Sequence, residues 1–359
     1  MRSYARVFSL LVLSAVWLVS HSAAVAQDRK PEEILQELNG VEVPKLTPDL
    51  KRDRAAAVQF LQKRHRALAR RSSLIRALYL ADLDHPKLPE LIQERWSTLL
   101  DSGEPTAAIE VADETEEVLK RSRSKPLVTE ALFARTILVL QHSEEGNDSE
   151  AVKLTDMFIK LAPKDDRGAR LLYVLGVGAE KSREKQLAFY RRVVRDYPNS
   201  KWAAQAGGDL RKLEGIGKPF ELEFTDAISG RKIEMKNYKG KIVVVDFWAT
   251  WCDSCVVEMP RMKELYARYK DHGVEFLGVN LDKPKDEGGL DRMKAYVEEN
   301  RIPWPQYYQG NYWDSEFSAS WGVSALPAMF VVDRDGKLYS TDAQEKLEAV
   351  LNELLKKGR

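Results

Sequence analysis

Cysteine is almost absent from this chain: there are two in 359 residues, Cys252 and Cys255. That scarcity excludes a disulfide-dense scaffold and any cysteine-rich zinc module. Histidine gives no help to a metal either. His21, His65, His85, His142 and His272 are scattered and none forms a ligand pair, so no metal is expected. Net charge is also missing, since 56 Lys+Arg against 55 Asp+Glu leave +1. Such a balance exerts no global pull toward nucleic acid or an anionic membrane. What remains is a soluble composition, 44% hydrophobic and 31% charged, which rules out a polytopic membrane protein, a collagen and a wholly disordered chain. The length suggests two domains, or three.

The first residues read as a targeting segment rather than as fold. Arg2 and Arg6 precede an uncharged apolar run at 7–19, and Ala24-Val25-Ala26 supplies a small-x-small cleavage site. The run has 13 residues, short of the ~20 that a spanning helix needs. The expectation is a signal peptide over 1–26, cleaved after Ala26, with export to the periplasm or another extracytoplasmic space. An uncleaved N-terminal membrane anchor is the alternative. Cleavage leaves a net charge of −1 and puts the two thiols where dithiols can be oxidised.

Residues 27–214 carry a helical pattern. Apolar residues recur at three- and four-residue spacing, as in Leu61, Leu68, Ile75 and Leu78, or Leu127, Ala131, Phe133 and Ile137. Pro44, Pro48, Pro86, Gly103-Glu104-Pro105, Pro126, Gly146-Asn147-Asp148 and Pro163 divide the run. Part of it repeats at an offset of 35: Leu154 meets Phe189, Phe158 meets Val193, and Pro163 meets Pro198. A helix closed by proline at such a period resembles a tetratricopeptide-type hairpin. Two readings stand, a concave surface for a partner protein and a plain bundle that buries its own apolar faces. The basic cluster Lys63-Arg64-His65-Arg66 with Arg70-Arg71 alternates with Leu61, Leu68 and Leu74, which marks a solvated helix face and not a nucleic-acid site.

Residues 215–219, Gly-Ile-Gly-Lys-Pro, read as a linker, and the pattern changes after them. Over 220–359, strand-like runs at 220–225, 242–248, 274–281 and 328–333 alternate with helical patterns near 252–270, 290–300 and 344–356. Arg334-Asp335-Gly336 reads as a hairpin turn. The fold class expected is an all-helical, tetratricopeptide-like domain followed by an α/β domain with a mixed central sheet.

Cys252 and Cys255 stand at i and i+3 where a helix begins. Unpaired N–H groups and the positive end of the dipole favour a thiolate at the first position, and thiolate character sets the rate of attack on a disulfide. Cys252 is thus the candidate attacker and Cys255 the resolving thiol, with no metal or organic cofactor needed.

The flanking residues resemble a known family. Val245-Asp246-Phe247-Trp248-Ala249-Thr250-Trp251-Cys252-Asp253-Ser254-Cys255 is similar to the thioredoxin superfamily. Gly217-Lys218-Pro219-Phe220, Gly240-Lys241 and Glu258-Met259-Pro260 extend the likeness to its TlpA/ResA-type branch of exported thiol–disulfide oxidoreductases. The resemblance runs from about residue 216 to the end. It implies a redox disulfide Cys252–Cys255, an aromatic at Trp251 beside it, a helix proline at Pro260, and a cis-proline loop at Leu326-Pro327 that holds the substrate chain. Asp246 matches the family's buried aspartate and is expected to be desolvated with a raised pKa. Glu258 matches an acid near the redox pair. Either could tune the thiols or move a proton, and either could be structural. Departures are Asp253-Ser254 between the cysteines and Ala328 after Pro327. The aromatics Trp304, Tyr307, Tyr308, Tyr312 and Trp313 form either a substrate-facing wall or the packing of an insertion.

The implied function is disulfide exchange with protein substrates in the reducing direction, with re-reduction by a membrane thiol donor and a further protein partner on the helical region. A thiol peroxidase of this fold needs a proline seven residues before its cysteine and Thr or Ser three before; here those positions are Val245 and Ala249. The remaining alternative is a partner-binding scaffold with a redox-inactive module.

Overall fold

A computed structural model describes residues 29–45, 54–142 and 149–357. The expected signal at 1–26 and the breakers Pro48 and Gly146-Asn147-Asp148 lie outside the described residues. The chain divides into two compact units, Met1–Leu171 and Leu172–Arg359.

The first unit is helical, and no strand occurs among its described residues. Its helices are α1 (Pro31–Asn39), α2 (Arg54–Ala81), α3 (Leu88–Asp101), α4 (Ala107–Arg121), α5 (Lys125–His142), α6 (Ser149–Leu161) and the start of α7 (Arg167–Gly178). Leu74, Ile75, Leu78, Ile92, Trp96, Val111 and Val118 form its core. Inside that core Arg95 forks onto Glu114, and the Trp96 indole donates to the same carboxylate at 3.0 Å. The periodicity is not fully used: Leu61 is 59% exposed. Residues 55–71 of α2 contain no buried side chain, and the basic cluster lies on that solvated stretch.

The second unit opens with the rest of α7, then α8 (Arg183–Asp196) and α9 (Lys201–Gly215). Ser182 and Ser200 cap α8 and α9 by accepting the N–H of Lys185 and Ala203. The repeat expected from sequence falls on matching helices: buried Leu154 and Phe158 of α6 correspond to buried Phe189 and Val193 of α8.

Helix α9 lies against the α/β layers of its own unit. Gly208 approaches Gly322 so closely that a Cβ on Gly208 would stand 2.3 Å from the Gly322 Cα. Gly322 has φ +60, a conformation that favours glycine. Nearby, the Arg211 guanidinium stacks 4.3 Å from the Trp321 ring centroid and donates to Ser320 Oγ at 2.6 Å. Residues 215–220 then run beside the strand Leu338–Ser340: Gly217 N donates to Leu338 O, Leu338 N to Lys218 O, and Phe220 N to Gly336 O, all within 2.9 Å.

A hairpin, β1 (Glu223–Thr225) with β2 (Lys232–Glu234), precedes a five-stranded sheet of order β5-β4-β3-β6-β7. The strands are β3 (Ile242–Trp248), β4 (Val274–Asn280), β5 (Gln306–Tyr308), β6 (Ala328–Val332) and β7 (Leu338–Ser340). β3, β4 and β5 are parallel, and β6 runs antiparallel to both of its neighbours, β3 and β7, so the sheet is mixed as expected. Helices α10 (Asp253–Tyr269), α11 (Gly289–Glu299), α12 (Glu316–Ser320) and α13 (Leu347–Lys357) complete the unit. Every residue of β3 is buried, which is what covering both faces of a central strand requires. Alternation sends Val244 and Trp248 toward α10, α11 and α13. It sends Val243, Val245 and Phe247 toward Phe220, Phe224 and Trp321.

The two adjacent glycines of α9 make the close approach testable. A Cβ on Gly207 meets nothing within 4 Å, so Gly207→Ala gains helix propensity and stabilises by about 0.5–1 kcal/mol. Gly208→Ala meets the Gly322 backbone and destabilises by about 1–3 kcal/mol despite the same propensity gain. Urea midpoints of the two variants should move in opposite directions.

Candidate active site

β3 ends at Trp248, the chain turns through 249–251, and Cys252 becomes the N-cap of α10 with extended dihedrals, φ −91 and ψ 99. Its Sγ accepts the backbone N–H of Cys255 at 3.2 Å and lies 3.4 Å from Ser254 Oγ. A disulfide joins Cys252 to Cys255, with the two Cα atoms 5.3 Å apart. A cap usually offers oxygen to an otherwise unpaired N–H of the first turn; here sulfur does so. Both cysteines are buried in this oxidised form, at 6% and 3% exposed. Both sit in the core layer against which Trp251 and Leu326 pack. Asp253 is exposed in the first turn of α10, and Pro260 lies inside the helix, which continues through it.

The turn before Cys252 is held by residues the sequence did not single out. Asp282, buried beyond β4, accepts the Thr250 N–H at 3.0 Å and the Thr250 hydroxyl at 2.8 Å on one oxygen. Asn280 donates to its other oxygen at 3.0 Å. The Trp251 indole donates to Leu281 O at 3.2 Å. The only sequence signal was a polar Asn-Leu-Asp ending an apolar strand, where buried polar groups require partners.

Asp246 is 2% exposed and follows the alternation of Val244 and Trp248, so it points into the layer that holds both cysteines. Its Oδ1 has no hydrogen-bond partner. Burial, and secondarily the Glu258 carboxylate, push its pKa up to about 7. Beside it in the register stands Gly278 of β4. The Gln306 carboxamide fills the space above that glycine, where a Cβ would meet Gln306 Oε1 at 2.1 Å. Gln306 itself accepts from the Trp248 indole and donates to Trp304 O, both at 3.0 Å. Glu258 is half-buried one turn beyond Cys255 and pairs with Arg261.

The Leu326–Pro327 peptide bond is cis. It leads into β6, whose Ala328 pairs with Phe247 near the end of β3. The five aromatics fall into two groups. Trp304 is buried against Phe276 and Tyr266, and Tyr307 stacks on Phe224 at 5.0 Å. Tyr308 donates to Lys283 O. Tyr312 and Trp313 instead surround Trp251, at 4.5 and 5.3 Å.

A Cys-x-x-Cys disulfide closing the first turn of the helix after a central strand, with a cis-proline leading into the neighbouring strand, defines a thioredoxin-like redox module. Residues 216–341 match the AhpC/TSA family. The thiol–disulfide oxidoreductase ResA of Bacillus thuringiensis subsp. konkukian is 36% identical over 146 residues, 41% of this chain and 79% of that protein. ResA of B. thuringiensis strain Al Hakam is 34% identical over 149 residues, 42% of this chain and 81% of that protein. The thioredoxin domain of a thiol–disulfide oxidoreductase from Bacteroides vulgatus, a crystal structure, is 24% identical over 39% of this chain and 97% of that one, with a TM-score of 0.34. Through its C-terminal domain the chain belongs to the ResA-like thiol–disulfide oxidoreductases of the thioredoxin superfamily.

The buried acid gives a signed pH dependence. Asp246 ionises near 7 in the oxidised fold, against about 3.9 in an unfolded chain. Between those values the folded state holds a proton that the unfolded state has released, so this residue's contribution to stability falls as pH rises through that window. Asp246→Asn removes the loss. Its stability relative to wild type, both oxidised, should rise by on the order of 4 kcal/mol from about pH 4 to about pH 8 and then level off. Urea denaturation across that range checks it, and a flat difference would contradict the assignment.

Proposed function

We propose that this protein is an exported reductant of protein disulfides, working through Cys252 as attacking thiol and Cys255 as resolving thiol. Thiol–disulfide oxidoreduction itself follows from the Cys252–Cys255 pair in a ResA-like module. One observation carries the assignment of roles: Cys252 Sγ accepts the Cys255 N–H at the start of α10. That bond and the helix dipole favour negative charge on Cys252 once the disulfide opens.

In the reduced protein the Cys252 thiolate attacks one sulfur of a partner's disulfide, and the other partner sulfur leaves as a thiolate. Cys255 then loses its proton and attacks Cys252 Sγ. The mixed disulfide breaks, the second partner sulfur leaves, and the Cys252–Cys255 disulfide remains. Two electrons have passed to the partner. Asp246 is the proton acceptor for Cys255, directly or through water: it shares the cysteine layer, and a carboxyl near 7 is matched to proton transfer at neutral pH. Glu258 acts through its charge on Asp246. Trp251 and the Leu326–Pro327 loop form the surface on which the partner's chain lies. Turnover needs a dithiol donor, which for an exported protein is a membrane one. The reducing direction and the donor rest on the resemblance to TlpA/ResA-type proteins, and export rests on the leader pattern of residues 1–26. A peroxidase gains nothing here, since Val245 and Ala249 are buried apolar side chains.

Equilibration in glutathione buffers of graded ratio should convert Cys252 and Cys255 reversibly between dithiol and disulfide. The reduced protein should reduce insulin, Cys252→Ser should fall to the uncatalysed rate, and Cys255→Ala should accumulate a mixed disulfide through Cys252. Sulfurs that never interconvert in the buffer series would end this reading.

A further inference from the structure

The second unit contains a cleft of about 400 Å³ between the first turns of α9 and the segment from Trp313 to Ser324. That volume lies in the range of sites that enclose a small ligand or a few side chains. We propose that this cleft is the outer part of the substrate surface, and that it takes an extended segment next to the reacting cysteine of the partner protein. The proposal rests on the disulfide-exchange reading above and adds to it a wall made by the helical part of the chain.

Continuity with the disulfide carries the argument. One side of the cleft is Trp313, whose ring stands 5.3 Å from Trp251, the residue before Cys252. The floor includes Val323 and Ser324, and Ser324 lies two residues before Leu326 and the cis Pro327. The cleft is thus bounded by residues that adjoin Trp251 on one side and lead into the Leu326–Pro327 turn on the other. A chain whose cysteine reaches Cys252 along residues 324–327 continues into it.

The opposite wall is rigid. Helix α9 is held by the Gly208–Gly322 approach, by Arg211 on Trp321, and by Gln205 Nε2 donating to Ser324 Oγ at 3.3 Å. A wall fixed before binding loses little freedom on binding, which raises affinity for an extended chain. The lining also fits such a chain. Trp313 and Val323 offer apolar surface to one side chain, while Gln205 and Ser324, bonded to each other through Nε2 and Oγ, keep the amide oxygen and the hydroxyl hydrogen for peptide groups. Lys201 and Asp314 bring one charge of each sign to the lining, so the cleft has no net charge preference.

Two disulfide probes separate this proposal from the underlying chemistry. Cystamine reaches the sulfurs without filling the cleft. An extended cysteine peptide with leucine on both sides of its cysteine, joined through sulfur to cysteamine, fills it. Reduced full-length protein is mixed with each and oxidation is followed by tryptophan fluorescence. Ala204, exposed on α9 and lining the cleft, is changed in Ala204→Phe to fill it, and Gln205→Ala removes the amide. The expected result is a rate with the peptide about tenfold lower in Ala204→Phe and about threefold lower in Gln205→Ala, with the cystamine rate within about twofold of wild type in both. Peptide rates that stay at the wild-type value, or that fall only in step with cystamine, overturn the cleft as a binding surface and leave the redox reading intact. Wild-type protein that reacts with neither probe overturns the redox reading, and this proposal with it.

Discussion

The sulfur of Cys252 sits where a helix cap normally places an oxygen, and most of the site follows from that placement. The cap position makes the first turn of α10 a donor toward sulfur, and i+3 spacing brings Cys255 back under it. For the cap to hold, the turn at 249–251 must be fixed at both ends. Below it, β3 is buried along its whole length and cannot slide, because a one-residue slip would exchange the faces of Val244 and Val245. Above it, Asp282 takes both the N–H and the hydroxyl of Thr250. The reacting atoms thus sit on backbone held from both sides, as a preorganised site requires.

Three buried aspartates in this unit show how neighbours decide an acid's character. Asp226 accepts the N–H groups of Gln306, Ile228 and Ser229 together with the Ser229 hydroxyl, and its pKa is lowered even though burial alone would raise it. Asp282 is likewise bonded on both oxygens. Asp246 has an oxygen with no partner, and its neighbour across the register is a glycine covered by a neutral carboxamide. The first two acids stitch loops to the sheet. The third keeps an uncompensated carboxyl in the sulfur layer, which is an expensive arrangement for stability and a useful one for proton transfer.

Local signals made much of this legible in advance. Alternation and apolar runs locate β3, β4 and β6 to within a residue or two, and the stretch from Val245 to Cys255 holds Asp246, Trp251 and both thiols within eleven residues. What was not legible depends on contacts distant in sequence. Asp282 and Asn280 matter because they meet a turn some thirty residues earlier. β5 is only Gln306–Tyr308, too short for a period and hidden behind Pro-Trp-Pro. Leu61 has the right spacing for a core residue, yet it is exposed among the described residues, since spacing alone does not say which face of a helix finds a partner. The segment 215–219 has the composition of a link, but its backbone groups bond beside β7, and the pairing of Gly208 with Gly322 cannot be seen in either glycine alone.

The charge distribution around the sulfurs pulls their redox balance in two directions. The first-turn N–H and the helix dipole stabilise a thiolate, and stabilising the reduced form makes a disulfide more oxidising. Asp253 places a negative side chain in the same turn, and Asp246 adds a second negative group once it ionises near 7. A thiolate formed beside an ionised Asp246 meets like charge in a poorly solvated layer, so opening the disulfide favours proton uptake there. With Asp246 in its proposed role, electron transfer is coupled to protonation, and the coupling is strongest around the pH at which that carboxyl changes state. Below that pH the carboxyl is neutral and the helix terminus dominates. Above it the acids oppose the thiolate and hold the pair closer to its joined form.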